Sequence, residues 1–137
     1  MIQDLLAALV ANLRAVPAIA ALVGERVYGL ELPAAETAHM PRLAVVVSPA
    51  GGADRGFTRS LALEAMRVDV RCYGATLHEA SLLRRVVRAH LRTVERVRVG
   101  TVLIHYATPA GGVAENRADG WPYAWESWSV LASERPA

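Results

Sequence analysis

Apolar residues recur at helical spacing from the start of the chain: Ile2, Leu5, Leu6, Leu9, Val10 and Leu13, interrupted by Gln3, Asp4, Asn12 and Arg14. This predicts an amphipathic helix over 2–14, packed on one side. Pro17 suits the opening of a second short helix, where its missing N–H is not needed. Ile19, Leu22 and Val23 face inward there, and Gly24 is the stop. A short extended piece, RVYGLEL, leads into a loop bracketed by Pro33 and Pro41. RLAVVVS, 42–48, is apolar on both faces and β-branched, the pattern of a central strand.

The glycine-rich segment 49–60 reads as a long loop. In the strand after it, Met66, Val68, Val70 and Cys72 share one face, and Arg67, Asp69, Arg71 and Tyr73 the other. The clearest helix spans 76–93. Thr76 and Glu79 form a T-x-x-E capping box, and Leu82, Leu83, Val86, Val87 and Leu91 form its packed stripe. Arg84, Arg85, Arg88 and Arg92 fall mostly opposite. An extended piece, a break at Gly100 and a strand over 102–108 follow, then a second flexible loop, PAGGVAENRADG. The last strand alternates Trp121, Tyr123 and Trp125 with Ala124, Glu126 and Trp128. The fold class expected is α+β. One domain over 1–137 forms a two-layer sandwich, with a mainly antiparallel sheet of about four strands and the helices 2–14 and 76–93 on one face.

Composition narrows this picture only slightly. The chain has 137 residues and is 53% hydrophobic, enough for one globular core. All fifteen basic residues are arginine, which points to coding bias, and a net charge of +2 does not announce nucleic acid. The single cysteine excludes an internal disulfide. No apolar run approaches the ~20 residues that span a bilayer, and the first residues do not read as a secretory signal.

Candidate chemistry is sparse. Neither glycine-rich loop matches a Walker loop or a dinucleotide fingerprint, and no lysine exists to complete one. His39, His78, His90 and His105 lie in no metal-ligand spacing, so neither a metal nor a cofactor is implied. Cys72 falls mid-strand on the apolar face. Ser48, Ser60 and Ser81 lack a triad context, and Glu64 and Asp69 form no acid–base pair by spacing. An enzyme is not expected. Two features stand out instead. Arg85, Arg88 and Arg92, at i, i+3 and i+7, form a basic stripe, either a solvated face or one meeting an acidic partner or DNA phosphate. The three tryptophans span both faces of the last strand, which suggests that at least one is interfacial.

The joint ALVGERVYGLELP and the block VDVRCYGATLHEASLLRRVVRAHL, with the aromatic strand WESWSVLAS, resemble the phage tail completion or tail terminator family over almost the whole chain. The resemblance implies a structural subunit of a hexameric ring that caps the tail tube, stops its polymerisation and offers a docking surface to the head connector. The implied partners are copies of the chain, the tail tube protein, the connector or head-closure protein, and double-stranded DNA passing through the lumen; no membrane or small-molecule substrate is implied. The implied location is the head-proximal end of the virion tail, assembled in the host cytoplasm. On this reading Arg55, Phe57, Arg59, Arg67, Asp69 and Arg71 are candidates for contacts with the tube or a neighbouring subunit. Arg85, Arg88 and Arg92 are candidates for the lumen. The alternatives are another neck protein, such as a head-closure or connector-adaptor protein, and a nucleic-acid-binding module built on the arginine stripe.

Overall fold

In the computed structural model, which describes residues 2–54, 62–118 and 121–134, four helices pack with one six-stranded sheet. The helices are α1 (Ile2–Arg14), α2 (Pro17–Val23), α3 (Ala34–Thr37) and α4 (Leu77–Leu91). The strands are β1 (Val27–Gly29), β2 (Ala44–Asp54), β3 (Ala62–Tyr73), β4 (Glu95–Val99), β5 (Val102–Ala118) and β6 (Trp121–Glu134). Their order across the sheet is β1-β2-β3-β6-β5-β4; β1 runs parallel to β2 and every other pairing is antiparallel.

The α+β class and both long helices are as expected, but the sheet has six strands rather than about four. The two further strands are the short extended pieces β1 and β4, which pair at the two edges of the sheet, while the segments read as glycine-rich loops lengthen strands already expected. β2 continues through the first segment to Asp54, and β5 through the second to Ala118. Glycine weakens a strand, but it also marks bulges. The sequence Pro-Ala-Gly-Gly occurs at 49–52 and again at 109–112, and the register shifts in both places, between Pro49 and Gly52 and between Pro109 and Gly111. An inserted residue there keeps the strand in the sheet while changing its twist.

One face of the sheet carries the core. Val45, Val47, Met66, Val68, Val70, Cys72, Trp128, Val130 and Ala132 pack with Leu5, Leu9 and Leu13 of α1, Ile19 and Val23 of α2, and Leu83, Val87 and Leu91 of α4. Leu82, expected in the α4 stripe, is 44% exposed; Ala80 and Ser81 are buried instead. The start of α4 is fixed as predicted: the Thr76 hydroxyl accepts from Glu79 N at 3.1 Å. The Glu79 carboxylate accepts from Ala75 N at 2.8 Å, one residue earlier than a standard capping box. Gly74 lets β3 meet α4 closely, since a Cβ there would lie 2.6 Å from Ala80 N.

Candidate functional site

The face of the sheet opposite α1, α2 and α4 holds three of the residues singled out by the sequence. Strand alternation puts Arg67, Asp69 and Arg71 on this face, beside Ser127, Trp125 and Tyr123 of β6. Asp69 Oδ1 accepts from the Ser127 hydroxyl at 2.5 Å. Arg71 donates to the Tyr73 hydroxyl at 3.2 Å, and its guanidinium lies 5.0 Å from the Tyr123 ring centroid. Arg67 is exposed and reaches Ala110 O at 3.4 Å.

Around Arg71 the face becomes aromatic. Ala44, Val46 and Tyr73 form a second buried cluster, with Tyr28, Leu32, Met40, Trp121 and Tyr123 packed on it. Tyr73 meets Trp121 edge to face at 6.3 Å between centroids. The segment after β1 folds over this patch and is tied down by Glu36, which is buried. Arg42 binds Glu36 with two nitrogens at 2.6 and 2.7 Å, and the Tyr28 hydroxyl donates at 3.2 Å. Hydrogen bonds from Arg42 hold the Glu36 carboxyl below its ordinary range against the opposing effect of burial. A hollow lined by Leu30, Leu32, Val46, Arg71, Tyr73 and Trp121 opens beside it. Of the tryptophans, Trp128 is buried in the core while Trp121 and Trp125 are half-buried on this face.

The arginine stripe is divided. Arg88 turns onto Glu126 of β6 and pairs with it; Arg84 approaches the same carboxylate at 3.7 Å. Glu126 is only 1% exposed and stands on the core face between Ala124 and Trp128. Arg85 and Arg92 are exposed. The three stripe residues therefore do not form one solvated surface: the charge of Arg88 is taken up inside the subunit. Glu126 is the residue that sequence reasoning missed. The signal was present, because alternation puts a carboxylate on the core face of β6, and a buried charge demands a cation. Arg55, Phe57 and Arg59 lie outside the described residues.

Burial pushes the Cys72 thiol up to about 12, which keeps it protonated and unreactive. His90 is half-buried, with its ring 2.7 Å from Asn12 Oδ1 of α1. Among the described residues no three of His, Cys, Asp and Glu gather as metal ligands, and no single helix is long and apolar enough to cross a membrane.

The sheet edges complete the surface. β1 pairs only with Val45–Val47 of β2, so β2 beyond Val47 has no outer neighbour among the described residues. β4 pairs only with β5 up to Tyr106, so β5 from 107 to 118 has none either.

No family model matches the chain, and no curated protein matches it. A chain in a solved structure described as "Virion of native gene transfer agent (GTA) particle" has a similar fold. The TM-score is 0.67 and the identity 19%, over 96% of this chain and 95% of that one.

Proposed function

We propose that this protein is a structural component of a phage-derived virion, and within it the tail terminator: a ring, hexameric by resemblance, that caps the tail tube, stops its growth and docks to the head connector. The observation that carries this reading is the end-to-end fold correspondence with a chain of a gene transfer agent virion. The site supports the same reading. Its face combines a polar strand, a half-buried aromatic patch and unpaired sheet edges, features suited to protein contacts rather than to chemistry. In this role the protein acts without catalysis, at the head-proximal end of the tail.

Arg67, Asp69 and Arg71 then face a neighbouring subunit or the tube. Arg85 and Arg92 remain as the lumen candidates from the stripe, where two exposed charges per subunit would let DNA slide without base recognition. Disabling this chain in cells that make its particle is expected to yield overlong tubes and heads without tails. Normal tails on headless particles would point instead to the connector-adaptor role, and normal particles would refute both.

A further inference from the structure

The two edges of the sheet have complementary outlines. At the end marked by Tyr73, β1 adds an outer strand beside β2, level with β3 residues 70–72, while β5 on the other side has no outer neighbour among the described residues. At the end marked by Glu134, β4 adds an outer strand beside β5, level with β3 residues 62–65, while β2 has no outer neighbour among the described residues. Each edge therefore has a tongue one strand wide and a notch one strand deep, in opposite order. Placed side by side without offset, the β1 tongue of one copy fills the β5 notch of the next. The β4 tongue of that second copy fills the β2 notch of the first. Both halves then agree on the same spacing between copies: exactly one strand separates the β5 of one copy from the β2 of the other.

The polarity also fits. β1 runs with β2, and β5 runs against that direction, so β1 would meet the next copy's β5 antiparallel. β4 runs with β2 and would meet it parallel.

Two prolines mark the gap between the tongues. Pro49 and Pro109 are both level with Val68, Pro49 directly and Pro109 through Trp128. No tongue reaches this level from either side. A proline inside a ladder keeps its ring nitrogen toward the unpaired side and leaves no N–H there to satisfy. The tongues stop at the levels of β3 residues 70 and 65, and midway in the gap between them both edges carry a proline and so lack a donor.

The outer edge of β1 is mostly satisfied within the subunit and keeps one free donor. Val45 N donates to Arg26 O and Leu30 N to Val47 O, so residues 26, 28 and 30 point at β2, and Val27 and Gly29 point away. Val27 N is taken by Glu25 O at 2.8 Å and Gly29 O by Glu31 N at 2.9 Å. Val27 O accepts from the Arg14 guanidinium of α1 at 2.5 Å. Of these outward groups one donor, Gly29 N, has no partner among the described residues. Beside them Leu30 is 61% exposed with φ +74°, a conformation unfavourable for leucine, and borders an apolar groove lined by Leu6, Val10 and Gly29.

We propose that copies of this chain join side by side by this double strand exchange, β1 to β5 and β4 to β2, into one sheet running continuously through the assembly. The proposal rests on the ring reading above and specifies its interface. Such a contact is head-to-tail, the type that closes into rings.

Hydrogen–deuterium exchange on the full-length protein, at concentrations where it is monomeric and where it assembles, tests this. Amides of β1, of β4, of 50–54 and of 112–118 are expected to exchange at least tenfold more slowly in the assembly. Gly29→Pro, which removes the free donor, is expected to abolish assembly, while Gly29→Ala keeps it. An assembly in which these strands exchange as in the monomer overturns the proposal and leaves a ring held by another surface. Protection of only one edge overturns it in favour of a two-fold contact. A chain that stays monomeric at every concentration and on tail tubes overturns both the interface and the ring.

Discussion

At the scale of single residues, the informative feature is a buried charge. Glu126 sits almost without solvent on the core face of β6, answered by Arg88 and more distantly by Arg84. Removing one partner of such a pair leaves the other charge stranded, which costs about 3–5 kcal/mol, whereas replacing the whole set with apolar groups is often neutral. Glu126→Gln is therefore expected to lose about 3 kcal/mol in urea unfolding. Glu126→Leu combined with Arg84→Met and Arg88→Met should recover most of that loss. The arginine stripe was legible in the sequence only as a helical period. Its partner lies 38 residues further on in Arg88's case, and nothing local announces it. By contrast Arg67, Asp69 and Arg71 were placed on the right face, because alternation along one strand is a local property.

Titration adds a second residue-scale prediction. Burial holds the His90 imidazole below its ordinary value of 6.5, so the unfolded chain binds that proton more readily than the folded one. The stabilisation is complete above about pH 6.5 and declines as the pH falls below it. Glu36, held down by Arg42, contributes in the same direction but only as the pH falls below its ordinary value of 4.5. The urea midpoint is expected to drop between pH 7.5 and 5.5, with that step missing in His90→Gln and a further fall below pH 4.5 retained. A midpoint flat down to pH 5 would contradict this, and a step that survives in His90→Gln would assign it to another group.

At the scale of elements, the sequence predicted α1 and α4 closely and the glycine-rich strands poorly. α4 announced itself through Thr76, Glu79 and a strong apolar period, all local signals. The Pro-Ala-Gly-Gly segments look like loops because proline and glycine are depleted in strands. They remain in the sheet because each sits at a bulge on an edge with no outer neighbour among the described residues, where a missing N–H costs little. The β3–α4 joint makes a sharp prediction. Gly74→Ala would force a Cβ against the backbone of Ala80, and a loss of about 1–3 kcal/mol is expected. Thr76→Ala, which removes only the cap, should cost about 1 kcal/mol. Thermal unfolding of the two variants should rank them in that order.

At the scale of the whole molecule, strand order and edge outline depend on pairings between distant residues, so no local pattern could have supplied them. Those edges are what give the protein its proposed task. One face of the sheet is filled by three helices, the other is half polar and half aromatic, and the rims are shaped to meet one another. On the proposed reading, the chain acts by joining copies of itself and seating them on a tubular partner. Electron microscopy of the purified protein mixed with its own tail tubes tests this most directly. A closed ring on one end of each tube, with tubes no longer growing when more subunit is added, is the expected result. Bare tube ends that continue to elongate in the presence of saturating protein would contradict the account.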